Sequence, residues 1–549
     1  MSRPVDKMAT LVAPLVLVCL LAGSLKAASD QCSEFCYPGM SCFPSQEAVA
    51  KMAASLDDGF GALLWPGSPL YGNLTIMKDT LYTRFPSYII LVRSVQDVQK
   101  VMLFARKYDL RVTIQSSGHD YIGRSTGDGS IMINLSRMQG IDINLNSPLN
   151  ADGVIRSESG NNWARVYEEV NKQGRVVVGG SVHTVAMGGY TLGGGHSPMS
   201  RTLGLAVDNL LEVTIVTADG SIVNASASGT VKVSHDGSVT HSSDPDLFWS
   251  LRGGGGGTFG VVTSFVFKLH KPPSAFGHLT CVFRFHRQND QEKAKDLIKF
   301  YFDLAKTLPN EWGGYFLGYN DFSDYTYQHV VYIVSMLHYG PSSLPSFAKI
   351  LPLVDYHPEW QIIKCAKQDF ASFWDYEKGI NDAIYVRSAL VTSLVRSADF
   401  DDNMAAMIRD IVMVMPTNTS IGACTNTLIG GQVSTVGDDD TSVSPSLRTA
   451  LGSMSCAVSW ANDPSIDAEN RVAANKLEKQ LHGLGHGIYL NEPPAQIDNW
   501  KKDFWGHHYP RLLATKKTWD ASNFLTCLYC VGSDLGRNYG NHRGTSIIG

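Results

Sequence analysis

Two hydrophobic patterns alternate between residues 82 and 270 of this 549-residue chain. Short β-branched and apolar runs predict strands, and the segments between them repeat apolar residues at the spacing of a helix. The predicted helices cover residues 95–108, behind the N-cap candidate Ser94, and residues 163–173. The predicted strands cover residues 112–114, 131–135, 176–178 and 210–217, the last pairing with 222–225. This order predicts an α+β arrangement around ligand-binding loops.

The pattern changes after Lys271, Pro272 and Pro273, which mark a domain boundary. Residues 276–488 are rich in aromatic strands, such as those predicted over 330–339 and 383–395. Helices are predicted over 290–307 and 467–481. The combination predicts an antiparallel sheet backed by helices.

The composition changes this picture little. With 44% hydrophobic and 18% charged residues, the chain has the make-up of a globular protein with bulk for two or three domains. Its net charge of −5 is small for this length. The charge therefore argues against nucleic acid or an anionic membrane as a partner.

Residues 1–29 have the layout of a secretory signal peptide. Arg3 and Lys7 precede an apolar run over 11–22, and small residues follow at 27–29. The apolar run is short for a membrane span, and an uncleaved anchor is the alternative. We expect a secreted protein, extracellular or in the secretory lumen, with no membrane attachment once the signal is removed.

Cysteine usage fits secretion. After Cys19 is removed with the signal, cysteines remain at positions 32, 36, 42, 281, 365, 424, 456, 527 and 530. Because nine is odd, at least one thiol is free, blocked or intermolecular. The cluster at 32–42 is expected to contain a disulfide, with zinc as the alternative there and at Cys527 and Cys530. Sequons lie at Asn73, Asn134, Asn224 and Asn418, and Asn134 falls in a predicted strand, where glycan is not expected.

The candidate chemistry begins on the loop after the strand at 112–114. Gln115 to Gly118 form a small polar turn, and His119 and Asp120 follow on a glycine-rich loop. A row of backbone N–H groups with little side-chain bulk suits a diphosphate. Seven glycines between Gly179 and Gly195 allow close approach of a large planar or phosphorylated ligand. Their spacing fits neither the dinucleotide fingerprint of the Rossmann fold nor a P-loop.

Several motifs together resemble the FAD-linked oxidases of the berberine bridge enzyme type, within the vanillyl-alcohol oxidase superfamily. They are GHDYIGRS at 118–125, GGYTLGGGH at 188–196, DLFWSLRGGGGG at 246–257 and WGHHYPRL at 505–512. The resemblance covers nearly the whole chain after the signal. It implies a cysteine-containing leader at 30–80, a two-part PCMH-type FAD-binding domain at 81–273, a substrate domain at 274–488 and a C-terminal segment at 489–549 that returns to the FAD domain.

The resemblance implies FAD as the cofactor, held by one covalent bond from His119 to the 8α-methyl of the flavin. Many members add a bond from a cysteine, but Val182 occupies that position here and cannot form it. His183 is an alternative tether. No metal is implied. The other residues implied to contact FAD are Ser116, Ser117, Gly118, Asp120, Gly123, Arg124, Ser125, Val185, Gly188, Gly189, Gly193, Gly194, Gly195, Asp208, Asn209, Val261 and His508.

The implied activity is oxidation of a small alcohol, sugar or secondary metabolite, with hydride passing to the flavin and electrons to O2 to give H2O2. Val185 matches a position that admits oxygen in the family, although strand packing is an equal explanation. The alternatives are a flavin dehydrogenase with another acceptor, a secreted flavin-binding protein without turnover, and a nicotinamide-dependent reductase. The last would need a second nucleotide site, and the sequence offers no loop for one.

Tyr489 resembles the tyrosine of the family's Tyr-x-Asn element and is the candidate base, through a lowered pKa or a hydrogen-bond chain. Glu492 is the second candidate, and a solvated loop carboxylate is the alternative. Pro493 and Pro494 replace an acid that many relatives have. His196 is expected to line the flavin or pack behind it. Aromatic candidates for a substrate platform or for the core are Trp312, Tyr315, Tyr319, Trp374 and Tyr385.

Overall fold

The computed structural model describes residues 35–535, apart from 322, 325, 327, 356, 358, 381–386, 414–418 and 483–484. Within these residues the strands form three sheets with helices on their faces, which confirms the predicted α+β class. The predicted signal peptide, Cys32, Tyr385, Asn418 and the end of the C-terminal segment lie outside the described residues. The division into domains stays a prediction.

Two sheets belong to the N-terminal half of the chain. The first has the order β1-β2-β4-β3, in which β2 and β3 both pair with β4 in parallel. The second is antiparallel, with the order β10-β9-β8-β7-β11-β6-β5. The strands are β1 Leu63–Leu64, β2 Tyr88–Leu91, β3 Val112–Gln115, β4 Ile131–Asn134, β5 Ile141–Asn144, β6 Val154–Glu158, β7 Leu210–Thr217, β8 Ile222–Ser226, β9 Gly229–Val233, β10 Val239–Ser242 and β11 Gly260–Lys268.

The third sheet is antiparallel and has the order β15-β12-β14-β13-β17-β18-β16. Burial alternates along β12, since one face of the sheet packs on helices. This is the helix-backed sheet that the sequence predicted. Its strands are β12 Phe276–His286, β13 Trp312–Asn320, β14 His329–His338, β15 Gln361–Phe370, β16 Arg387–Val395, β17 Ser420–Leu428 and β18 Gly452–Trp460.

The four predicted helices are present among the α-helices of the described residues, each within one residue of its predicted ends. The α-helices are Gln46–Ala54, Tyr71–Thr75, Val95–Lys107, Trp163–Lys172, Met187–Leu192, Ser200–Leu203, Asp246–Ser250, Gln291–Thr307, Phe373–Glu377, Asp402–Met413, Pro445–Thr449, Asp467–His482, Trp500–Trp505 and Tyr509–Trp519. Short 3-10 helices connect them, including Ala206–Asp208, Asp438–Asp440 and Gly506–His508. None of the described helices is long and apolar enough to cross a membrane.

The helix Val95–Lys107 illustrates how sequence sets an element. The Ser94 side chain accepts a hydrogen bond from the Asp97 N–H, as an N-cap does. Arg106 and Lys107 stand in the last turn, where positive charge is favourable. The apolar face of the helix packs into the core beside β3 and β4. The helix therefore fixes the strand that leads into the His119 loop.

One strand prediction is wrong. Residues 176–178 form no strand, and Val176 makes only an isolated bridge to His270. The next residue after this segment, Gly179, passes so close to the Trp163 ring that an added methyl group would lie 2.3 Å from it. The chain is thus held by packing against the helix Trp163–Lys172 rather than by a sheet ladder.

Four disulfides join the eight described cysteines. They are Cys36–Cys42, Cys281–Cys365, Cys424–Cys456 and Cys527–Cys530. The disulfide expected in the N-terminal cluster is therefore present, and Cys527 and Cys530 bond to each other, so the zinc alternative fails at that pair. Of the sequon residues, Asn134 is buried and donates to Gln115, whereas Asn73 and Asn224 are exposed.

Candidate functional site

The His119 loop begins where β3 ends. Gly118 takes a positive φ of 73°, which turns the chain out of the strand. The His119 Nε2 lies 2.9 Å from the Thr184 hydroxyl, and the Ser117 hydroxyl accepts from the Ala186 N–H at 2.9 Å. The two glycine-rich regions recognised in the sequence are thus in direct contact.

Asp120 and Arg124 hold the rest of this loop. Asp120 accepts hydrogen bonds from the N–H groups of Ile122 and Arg124, and the Arg124 guanidinium bonds its second oxygen at 2.7 Å. Arg124 also donates to the Leu490 carbonyl at 3.1 Å. This bond ties the His119 loop to the C-terminal segment that carries Tyr489 and Glu492. Gly123, with φ 79°, lies against Tyr82, and Ser125 contacts Met77.

Within the glycine-rich segments 179–195 and 253–257, three glycines face open space. A methyl group added at Gly189 would have no neighbouring atom within 4 Å. At Gly256 and Gly257 it would meet only the tips of Leu192 and Ile114, at 3.7 and 3.8 Å. These backbone surfaces lie next to the His119 loop and leave a slot without side-chain bulk. Such a surface fits an extended planar and phosphorylated ligand.

Other glycines around this slot lie where neighbouring chain segments pack closely together. A methyl group at Gly188 would lie 2.5 Å from the Ser116 hydroxyl, and one at Gly193 would lie 2.1 Å from the Asn491 amide oxygen. Gly194 and Gly195 have φ values of 124° and 74°, and Gly194 lies against Val443. The glycine run therefore serves both close packing and an open ligand face.

Tyr489 is buried at the meeting point of the C-terminal segment and the glycine run. Its hydroxyl accepts from the Gly195 N–H at 3.0 Å and from the Asn491 amide at 2.9 Å. Its ring lies 4.8 Å from that of His196. Burial raises the pKa of Tyr489, and the nearby Glu492 carboxylate raises it further. The expected lowering of this pKa is therefore wrong, and the hydrogen-bond chain is the feature that the structure retains.

Glu492 lies beside Tyr489 and is only 23% exposed, so it is not a solvated loop carboxylate. The His196 Nε2 is 3.2 Å from one of its oxygens, and the Ser455 hydroxyl bonds the other. Burial would raise the pKa of Glu492, but the hydrogen bonds and charge from His196, with Ser455, lower it overall. Glu492 is thus ionised at neutral pH. Burial raises the pKa of Tyr121, which lies two residues after His119, and the Glu492 carboxylate raises it further.

A second carboxyl cluster was not found from the sequence. Glu377 is fully buried, and one of its oxygens accepts from the Ser181 hydroxyl at 2.8 Å. The same hydroxyl lies 2.7 Å from that of Tyr315. Burial raises the pKa of Glu377 to about 8, although the Ser181 hydrogen bond opposes the shift. The sequence had named Tyr315 as an aromatic candidate and His183 as an alternative tether, but it had not singled out Ser181 or Glu377.

Four predicted cofactor residues are engaged by protein groups. Both Asp208 oxygens bond Arg448 at 2.8 Å, in an ion pair that is almost fully buried. Asn209 donates to two backbone carbonyls and bonds His270. Val261 lies in the core, and His508 contacts the Val443 carbonyl at 3.0 Å. These contacts stabilise the loops around the slot, and direct cofactor contact by these four stays a prediction.

The remaining candidates divide between packing and the Glu377 cluster. Val185 is half-buried and packs against the core beside Trp163. Trp312 is fully buried in the core between the third sheet and its helices. His183 bonds the Glu377 backbone carbonyl at 2.7 Å, and its ring packs on Trp374. His183 is therefore held at the Glu377 cluster, whereas His119 faces Thr184.

Known proteins match this arrangement. The model of an FAD binding domain matches residues 86–226, and the model named berberine and berberine like matches residues 488–527. An uncharacterized FAD-linked oxidoreductase of Arthroderma benhamiae is 28% identical over 470 residues, covering 82% of this chain and 78% of that protein. A VAO-type flavoprotein oxidase of Thermothelomyces thermophilus is 28% identical over 481 residues, covering 82% and 77%.

Solved structures show the same fold. A VAO-type flavoprotein from Myceliophthora thermophila superposes with a TM-score of 0.75 at 23% identity, covering 91% of this chain and 98% of that one. Berberine bridge enzyme from Eschscholzia californica superposes with a TM-score of 0.72 at 19% identity, covering 88% and 98%. The resemblance stated from the sequence is therefore confirmed. The chain is an FAD-linked oxidoreductase, and it is similar to VAO-type and berberine bridge enzyme-like flavoproteins.

Proposed function

We propose that this flavoprotein is a secreted oxidase that removes hydride from a small alcohol, sugar or secondary metabolite and reduces O2 to H2O2. One observation carries the proposal. The glycine-lined slot, His119 and the Tyr489–Glu492–His196 group meet through Arg124, Gly195 and Asn491. A ligand surface and proton-accepting groups thus share one site.

The slot fits FAD by its chemistry. Gly189, Gly256 and Gly257 offer backbone without side chains, and the polar turn of Ser116 and Ser117 adds hydroxyl and N–H groups. Bound FAD would supply hydride acceptance and reoxidation. We assign one covalent bond to His119, since Val182 cannot provide the second bond that a cysteine would make. The glucooligosaccharide oxidase of Acremonium strictum, by contrast, carries a 6-S-cysteinyl, 8α-N1-histidyl FAD.

The protein groups supply the proton chemistry. Tyr489 accepts hydrogen bonds from Gly195 and Asn491, which would stabilise negative charge on its oxygen. Glu492, kept ionised by His196, would take a proton passed from the substrate hydroxyl. Val185 lies half-buried beside the His119 loop, and its small side chain would not block the approach of oxygen to the flavin. Together these groups favour an oxidase over a protein that only binds flavin.

Secretion is part of the proposal. Its supports are the signal-like residues 1–29 and the four disulfides, which persist in oxidising compartments. Exposed Asn73 and Asn224 are the glycan sites we expect to be used.

The test is oxygen consumption and peroxide release by the purified protein with cellotriose, chitobiose and vanillyl alcohol. We expect one of these probes to give peroxide in step with oxygen uptake. Tyr489→Phe should lower that rate by about 100-fold, while the matched control Tyr339→Phe, which loses a hydroxyl bonded to the Lys271 carbonyl, retains it. Turnover with an artificial electron acceptor and none with oxygen would identify a dehydrogenase instead. Protein without FAD would overturn the proposal.

A further inference from the structure

A directed chain of hydrogen bonds runs from Tyr315 to Glu377. Ser181 has a single hydroxyl proton, which it donates to the Glu377 carboxylate at 2.8 Å. Ser181 must therefore accept from Tyr315, whose hydroxyl is 2.7 Å away. When Glu377 is protonated, the chain reverses, and Glu377 donates to Ser181 and Ser181 to Tyr315. The protonation of one buried carboxyl thus sets which way the Tyr315 hydroxyl points.

Tyr315 is the end of this chain that reaches the site. Unlike Glu377, it is only half-buried. Burial raises its pKa, the Glu377 carboxylate adds to the effect, and so does Glu492. The Tyr315 hydroxyl therefore lies near both glutamates. Ser181 stands three residues before Thr184, which bonds His119.

The surroundings of Glu377 leave it able to hold a proton. Its second oxygen has no hydrogen-bond partner among the described residues. The titratable groups that face it are the hydroxyls of Tyr167, Tyr190, Tyr315 and Tyr376. Burial raises all four pKa values above the ordinary value of a tyrosine, so these groups stay neutral while Glu377 titrates. His183 bonds only the backbone carbonyl of Glu377 in this cluster.

We propose that Tyr315, Ser181 and Glu377 form a proton relay, a second route parallel to the Tyr489–Glu492 route of the proposed function, in which Tyr315 touches the substrate and Glu377 is the final proton acceptor. The inference rests on the proposed function. As hydride leaves the substrate carbon, the substrate O–H proton passes to the Tyr315 oxygen, the Tyr315 proton to Ser181, and the Ser181 proton to the Glu377 carboxylate. The substrate is oxidised to a carbonyl and Glu377 becomes neutral, while bound FAD would supply the acceptor for the hydride.

The relay works only while Glu377 is ionised, so activity should rise with pH through about 8, the pKa of this carboxyl. Glu377→Gln keeps the size and hydrogen bonding of the side chain but cannot take a proton. Ser181→Ala and Tyr315→Phe break the chain at its other members. Tyr376→Phe alters a hydroxyl near Glu377 that is outside the chain and is the matched control.

Two readouts on the flavin-loaded protein test the relay. The first is the infrared carbonyl band of a protonated carboxyl, followed from about pH 6 to about pH 10. We expect a band that titrates near pH 8 in the wild type and in Ser181→Ala, and that disappears in Glu377→Gln. The second is anaerobic flavin reduction by whichever of cellotriose, chitobiose or vanillyl alcohol reduces it fastest.

At high pH, Glu377→Gln, Ser181→Ala and Tyr315→Phe should each slow reduction by about tenfold and remove its rise with pH. Tyr376→Phe should keep both the wild-type rate of flavin reduction and its rise with pH. A Glu377→Gln protein with the wild-type pH profile would overturn the relay, as would an infrared band that survives the substitution. Failure of all three probes to reduce the flavin would refute the proposed function, whereas a titrating carboxyl without kinetic effect would refute only the relay.

Discussion

Glu377 and Glu492 are two enclosed carboxyl groups near Tyr315, and they differ in what faces them. Glu492 has the His196 imidazole at 3.2 Å and a serine hydroxyl on its other oxygen, and its pKa is lowered. Glu377 has one serine hydroxyl and an oxygen without a hydrogen-bond partner in the described part of the chain, and its pKa is raised.

The difference shows that burial alone does not decide the charge of a carboxyl group. Loss of solvent disfavours the ionised form of both glutamates, and only Glu492 has hydrogen bonds and charge sufficient to reverse this effect. The protein therefore holds one ionised and one neutral carboxyl near the same loops at neutral pH. Such a pair of opposed pKa values is typical of sites that move protons.

The largest expected effect is on stability. Because folding raises the pKa of Glu377 from 4.5 to about 8, its contribution is fully present below pH 4.5 and is lost as pH rises to about 8. The loss is of the order of 5 kcal/mol at about 1.4 kcal/mol per pKa unit. Glu377→Gln should remove this decline, measured as urea unfolding free energies at about pH 5 and about pH 8.5.

Glu492→Gln is the control for that experiment, because Glu492 affects the pH dependence of stability with the opposite sign. A lowered folded pKa stabilises the protein above the unfolded pKa, and the stabilisation disappears as pH falls through the folded value. The substitution should therefore cost stability at neutral pH and leave the decline between pH 5 and 8 intact. If the unfolding free energy of Glu377→Gln fell with pH as steeply as that of the wild type, the two carboxyl groups would not differ as described.

The next largest effect is on turnover. Glu492→Gln should slow flavin reduction by about 100-fold at neutral pH, because it removes an ionised proton acceptor beside Tyr489. Glu377→Gln should have its effect of about tenfold only at high pH. The measurement is anaerobic stopped-flow reduction at two pH values, and equal losses at both pH values for both variants would contradict the assignment.

His196→Ala should make Glu492 more like Glu377. Without the imidazole, the pKa of Glu492 should rise, because the His196 hydrogen bond and charge that lower it are gone. The lower limb of the pH–rate profile should move upward with it. His196→Gln, which retains a hydrogen-bond donor without the charge, is expected to give a smaller shift. An unmoved profile in His196→Ala would show that another group sets the charge of Glu492.

The smallest effects come from the two serines. Ser181 and Ser455 each donate to one of the glutamates and lower its pKa. Removing a single hydrogen bond is worth about 1 kcal/mol, so each Ser→Ala variant should raise the pKa of its own glutamate, with a smaller effect than the substitutions above. Infrared titration of both variants tests this. A shift of the wrong glutamate would mean that the two clusters are coupled.

The sequence predicted the features that local pattern controls. The helix Val95–Lys107 follows from its apolar spacing and the Ser94 cap, and the open slot follows from the density of glycine around Gly189. Direct contact between the His119 loop and the second glycine cluster was implied by resemblance rather than derived from pattern. The failed strand at 176–178 shows the limit, because packing of Gly179 on Trp163 overrides a favourable β-branched run.

The Glu377 cluster lay beyond sequence reasoning. Glu377 ends a five-residue helix, and its partner Ser181 is 196 positions away, so no spacing rule connects them. Its full burial depends on how the helix packs against residues 163–172. The raised pKa of Tyr489 was missed for the same reason, since it results from burial and from the Glu492 charge.

The central claim is a flavin attached at His119 alone. The most direct test is the visible spectrum of the pellet and supernatant after acid precipitation of the wild type, His119→Ala and His183→Ala. We predict that the yellow colour stays with the pellet in the wild type and in His183→Ala and moves to the supernatant in His119→Ala. Flavin released wholly into the supernatant by the wild type, or retained by His119→Ala, would contradict the account.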